Sequence, residues 1–137
     1  MIARRALAEG GVNIVVARGG MILFTGWSRG LRDLAKIALE SPEILNGSSV
    51  ADRIVGKAAA IIFAVNGVEA VYAPTLSRHA LDVLERSGIK FHYERLVSHI
   101  EAPGGEICPF ERLIRDIADR DEAYRRLIKR FRELGWG

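Results

Sequence analysis

A single cysteine, Cys108, is all the thiol chemistry this 137-residue chain holds. That excludes an internal disulfide framework and any cysteine-rich zinc site, and a reducing, cytoplasmic location is the expectation. Histidine is nearly as scarce. His79, His92 and His99 stand 13 and 7 residues apart, a spacing that builds no metal site. Long hydrophobic runs are missing too: the longest, Ala58 to Val65, stops at Asn66-Gly67, far short of the ~20 residues a membrane helix requires. Behind Arg4-Arg5, Glu9 and the glycines at 10 and 11 follow too soon for the apolar stretch of a signal peptide. Neither export nor a membrane is expected, and Asn46-Gly47-Ser48 therefore reads as a turn rather than a glycosylation acceptor. The chain has no P-loop, no dinucleotide-binding glycine pattern and no Gly-x-Ser-x-Gly.

What is present is the balance of an ordinary globular protein, 49% hydrophobic and 27% charged. The length suits one domain over residues 1–137, with 121–137 a candidate helical extension. Twenty Lys and Arg against seventeen Asp and Glu leave a formal charge of +3, a modest attraction for phosphates or nucleic acid.

Val12 to Arg18 and Met21 to Thr25 are β-branched or apolar runs joined by Gly19-Gly20, which predicts an antiparallel hairpin. After the loop from Gly26 through Arg29 to Gly30, the residues Leu31, Leu34, Ala35 and Ala38 recur at helical spacing. Ser49 and Asp52 resemble a capping box, so a helix is expected from about Val50 to Val65. It is apolar around nearly its whole circumference from Ala58 onward, hence buried. Val68 to Ala73 reads as a strand ending at Pro74, Ser77 to Ser87 as an amphipathic helix, and Lys90 to Glu94 as a strand of alternating polarity. Short joints between these three imply a parallel crossover. The glycine-rich loop Glu101 to Glu106 then leads to a helix start at Cys108-Pro109, with Tyr124, Leu127, Ile128 and Phe131 on the inner stripe of a last helix.

This order of elements resembles the cytidine-deaminase-like fold. In zinc deaminases a His-Ala-Glu motif opens the buried helix, and Val50-Ala51-Asp52 stands where the order of elements puts that motif. Pro74-Thr75-Leu76-Ser77-Arg78 stands likewise for Pro-Cys-x-x-Cys, twenty-five residues separating Val50 from Thr75. Valine, threonine and arginine thus occupy the three ligand positions, and aliphatic or guanidinium groups cannot hold zinc. The chain resembles an uncharacterised bacterial and archaeal family with this fold and no metal signature, on the residues Ser49 to Ala60 and Ile107 to Glu111. The resemblance implies an α/β, three-layer α-β-α domain with a mixed sheet, an N-terminal antiparallel hairpin with later parallel strands, and extra C-terminal helices. It implies no cofactor and no activity.

The candidate catalytic residues are Cys108, at a helix N-terminus where a thiolate is favoured, and Asp52, as a general acid or base. The alternatives are a packed thiol, with Glu111 opposing ionisation, and a helix cap. His99 is a candidate base for Cys108. Arg53 and Lys57, four apart on the expected helix, form a candidate anion site. Thr75 is a candidate ligand-binding residue lining the deaminase-like cleft, and Gly56, Gly104 and Gly105 are candidate ligand-binding positions that allow close approach. The leading expectation is a small anionic or nucleotide-like ligand in a cleft near Asp52, Lys57 and Cys108. The alternatives are an RNA- or protein-binding module using the basic C-terminal helices around Arg125, Arg126 and Arg130, or a structural pseudoenzyme; a homo-oligomer is compatible with each.

Overall fold

The computed structural model describes residues 1–28, 30–102 and 104–136; Arg29 and Pro103, in the two loops noted above, lie outside the described residues. In chain order the elements are α1 (Ile2–Gly10), β1 (Ile14–Arg18), β2 (Met21–Gly26), α2 (Arg32–Glu40), β3 (Ser49–Asp52), β4 (Ile54–Val55), α3 (Lys57–Val65), β5 (Ala70–Ser77), α4 (Arg78–Arg86), β6 (Lys90–Val97), α5 (Pro109–Ile114) and α6 (Arg120–Glu133). A short 3-10 turn, Pro42–Leu45, links α2 to β3.

The sheet is mixed. β1 pairs antiparallel with β2 and β3, whereas β5 pairs parallel with β3, β4 and β6. The hairpin turns as its glycines predict: Gly19 and Gly20 adopt φ 59° and 81°, left-handed values that residues with a Cβ resist. Side chains alternate across the sheet and so divide the core. Val15, Ala17, Ala51 and Tyr72 meet Ala3 and Leu7 of α1 on one face. Ile14, Val16, Val50, Val71 and Ala73 face the other way, into the larger core built by α2 to α6. The result is the expected layered α/β architecture. α3 lies at its centre, with Ala58 to Phe63 all buried, and α6 adds Ala123, Leu127 and Phe131, each fully buried. No helix among the described residues is long and apolar enough to cross a membrane.

Three local expectations are corrected. Ser49–Asp52 is not a helix start but strand β3, its carbonyl and amide groups taken up between β1 and β5; alternation of Ser49, Val50, Ala51 and Asp52 across a sheet competes with the capping pattern and wins through burial on both faces. The helix begins only at Lys57, with Gly56 as its N-cap rather than a mid-helix residue. Finally, β5 does not end at Pro74. It runs on to Ser77, with pairing to β6 resuming at Thr75 and Arg95. Helix α1 went unanticipated, although Ala3, Ala6 and Leu7 mark its inner face.

Candidate functional site

Helices α3 and α4 and the chain after β6 all begin at the carboxyl ends of parallel strands. That edge of an open α/β sheet is where ligands gather. A cavity of about 220 Å³ lies there, bordered by Lys57, His79, Ser98, His99, Glu111 and Arg115. Lys57 is the first residue of α3, and His79 stands in the first turn of α4, where the Ser77 hydroxyl accepts the Ala80 N–H at 3.1 Å. Ser98 and His99 follow β6 directly, and α5 with its C-cap carries Glu111 and Arg115.

Two of these residues fix the others. The Glu111 carboxylate accepts the backbone N–H groups of Lys57 and Ala58 at 2.7 and 2.8 Å, one on each oxygen. It thereby supplies, from another helix, the cap that α3 lacks locally. In return the Lys57 ammonium donates to the carbonyls of Ile114, Arg115 and Ile117 at 3.1, 3.4 and 3.0 Å, closing the C-terminal end of α5. Burial pushes the Glu111 carboxyl above its ordinary pKa, against the pull of the two N–H groups, His79 and Lys57. A Cβ on Gly56 would run into the Glu111 carboxylate and approach Ile100 to 2.8 Å, so glycine is needed there for close approach.

The groups left open are on the rim. His79 and Arg115 are exposed, and the Arg115 Nε is only loosely paired with Asp116, at 3.9 Å. His99 Nδ1 meets the Ser98 hydroxyl at 3.0 Å, and its Nε2 stands 3.4 Å from Glu101. The cavity thus combines a carboxylate and an ammonium engaged by backbone, a Ser98–His99–Glu101 chain whose polar atoms meet one another, and the exposed Arg115 guanidinium and His79 imidazole, which are open to a guest. A guanidinium and an imidazole are donors of the kind that anions use.

Of the candidate residues read from the sequence, Lys57 borders this cavity and Gly56 abuts it through Glu111. Thr75 is half-buried on β5, and its N–H donates to the Arg53 carbonyl at 3.0 Å. Arg53 is not on a helix and shares no face with Lys57. Its guanidinium donates to the carbonyls of Val12 and Leu7 at 2.9 and 3.1 Å, tying the end of α1 to the sheet. Cys108 is the half-buried N-cap of α5, its N–H on the Ile100 carbonyl at 3.1 Å. Gly104 and Gly105, with φ 99° and 86°, turn the loop whose ends meet as the bridge Glu101 to Ile107.

Asp52 lies elsewhere, at the end of β3 opposite Ile14. The residue is only partly covered, yet its surroundings push the carboxyl pKa up to about 8, chiefly by burial and also through the negative charge of Asp33, against hydrogen bonds from the Ile54 and Arg53 backbone. Asp33 in turn accepts the Ser28 N–H at 2.8 Å, and it packs where Gly26 has no side chain. The zinc-ligand correspondence drawn at the sequence level placed Val50 at a helix start; it is a buried strand residue, and Thr75 and Arg78 fall on β5 and α4. Among the described residues no group of three His, Cys, Asp or Glu side chains is arranged to hold a metal ion.

Sequence reasoning missed His79, Ser98 and Arg115 as residues of this cavity, and the constructive role of Glu111. Residues 2–131 match the family described as TM1506, a domain of unknown function (DUF1893). The chain belongs to that family. The crystal structure of a DUF1893 family protein, TM1506 from Thermotoga maritima, is similar over 95% of this chain and 88% of its own, with 25% identity and a TM-score of 0.86. A dCMP deaminase from the cyanophage S-TIM5, in apo form, is similar over 60% of this chain and 79% of its own, with 24% identity and a TM-score of 0.48. No curated protein matches the chain.

Proposed function

We propose that this chain binds a small anionic ligand in the cavity at the carboxyl ends of β5 and β6. The carrying observation is the convergence of His79, His99, Ser98 and Arg115 on one cavity whose own carboxylate, Glu111, is engaged by two backbone N–H groups. A free carboxylate would repel an anion; one spent on a helix N-terminus does so much less. At about 220 Å³ the cavity falls below the ~300–1,000 Å³ that drug-sized ligands fill. A phosphate or carboxylate group fits inside, and the remainder of a nucleotide-like ligand lies outside along Arg115.

Thermal-shift screening against inorganic phosphate, nucleoside monophosphates and small dicarboxylates tests the reading. A stabilising anion whose effect is lost in His79→Ala and Arg115→Ala is the expected result. Stabilisation that survives both substitutions, or none with any of these anions, removes it. Cys108 stands beside Ile107 of the cavity wall, so protection of its thiol from alkylation by the same anion would extend the site to Cys108.

A further inference from the structure

The formal charge of the whole chain is +3, and α6 alone accounts for it. Its fourteen residues include six basic and three acidic ones, so the remainder of the chain is balanced. The acids stand at the two ends, Asp121 and Glu122 in the first turn and Glu133 at the last position. Glu122 pairs with Arg125 at 2.8 Å and Arg126 at 3.2 Å, and Glu133 with Arg130 at 3.5 Å. Lys129 and Arg132 stand outside these pairs.

With Ala123, Leu127 and Phe131 turned into the core, the outer side of α6 presents an open face formed by its own side chains. Half-buried Tyr124 and Ile128, one helical turn apart, lie on this face beside the exposed Arg125, Lys129 and Arg132, with Glu133 at one end. The Tyr124 hydroxyl receives a hydrogen bond from Asn66 Nδ2 at 3.2 Å, which fixes the ring. None of these residues borders the anion cavity described above.

We propose that this face of α6 binds single-stranded nucleic acid, with Arg125, Lys129 and Arg132 on successive phosphates and the exposed part of the Tyr124 ring against a base. A basic track beside an aromatic ring is the combination that single strands use, since every base offers a π-face. An acidic peptide would use the basic side chains and leave the ring without a partner. A duplex keeps its bases stacked inside and would do the same.

The test is fluorescence anisotropy with labelled oligouridylate and the intact chain across a salt series. Three phosphate contacts predict a slope of log affinity against log salt of about −2. The Lys129→Glu, Arg132→Glu double variant is expected to weaken binding by about tenfold or more and to flatten the slope, while Arg86→Glu on α4 binds as the parent does. Tyr124→Leu is expected to weaken binding at unchanged slope. Absence of binding at low salt overturns the proposal, as does a double variant that binds like the parent. So does a polyglutamate or a DNA duplex that competes as well as the single strand. If the double variant fails to fold, the parent's slope and these competitions still decide.

Discussion

Lys57 and Glu111 cap each other's helices: the Glu111 carboxylate holds the first two N–H groups of α3, and the Lys57 ammonium holds three carbonyls at the end of α5. One pair of residues thus closes five contacts between segments more than fifty positions apart, and the cavity wall depends on it. Hydrogen bonds to charged groups contribute about 1.5–3 kcal/mol each. Glu111→Gln keeps one acceptor and turns an amide N–H₂ toward a backbone N–H, so a loss of about 2 kcal/mol is expected. Lys57→Met should cost a similar amount by stranding the α5 carbonyls. Because both substitutions loosen the same α3–α5 junction, a double-mutant cycle in urea should show them to be less than additive. Strict additivity would mean that the two caps act independently.

Gly56 sets a sharper condition on the same junction. Its φ of −102° is open to any residue, so the reason for glycine is space, not backbone freedom. Gly56→Ala should destabilise by about 1–3 kcal/mol through overpacking against the Glu111 carboxylate. Combining it with Glu111→Ala, which removes the obstructing carboxylate, should cost less than the two changes summed. Chemical denaturation of the three variants measures this.

The hairpin, the buried apolar character of α3, the parallel β5 to β6 crossover and the helix start at Cys108 were all legible, because each rests on a local pattern. The position of the cavity was not, and the reason lies in Pro74. Proline lacks an N–H and conventionally stops a central strand, so the pattern ends β5 at Pro74, whereas the strand runs on to Ser77 and delivers Arg78 and His79 at its carboxyl end. The alternating pattern of β6 likewise fades at Glu94, although Arg95, Leu96 and Val97 continue the strand to the edge where Ser98 and His99 stand. Had both strands been carried to their ends, the rule that ligands sit at carboxyl ends of parallel strands would have pointed to His79 and His99. The spent state of Glu111 and Lys57 was beyond reach, since their partners are backbone groups supplied by another helix.

Helix α6 is expected to be indispensable to the fold. Leu127 and Phe131 are fully buried, and Phe131 meets Phe110 edge-on and stacks on Trp136 at centroid distances of 5.4 and 5.9 Å. Phe131→Ala should cost about 3–5 kcal/mol, and truncation after Asp119 should abolish cooperative unfolding by exposing α3. A truncated chain with a sharp thermal transition close to that of the intact one would show α6 to be an appendage.

Asp52 gives the fold a pH dependence opposite to that of a salt-bridged carboxylate. Its pKa rises from 3.8 to about 8 on folding, so between these values the folded protein holds a proton that the unfolded chain has released. Stability then falls as pH rises, by up to about 1.4 kcal/mol per pH unit. Below pH 4 both states are protonated and the term vanishes; above pH 8 both are ionised and the loss is complete. Asp52→Asn keeps the shape and a hydrogen-bonding capacity without the charge. The variant should match the parent near pH 4 and exceed it by a few kcal/mol near pH 8. The cause is burial, reinforced by Asp33, so Asp33→Asn should move the parent's midpoint downward in pH without abolishing the effect. Thermal melts of the three proteins from pH 4 to pH 9 make the comparison, with each variant set against the parent at the same pH to cancel other titrating groups. A parent whose stability relative to Asp52→Asn is flat across that range would show that Asp52 is ionised in the fold and satisfied by the Arg53 and Ile54 backbone.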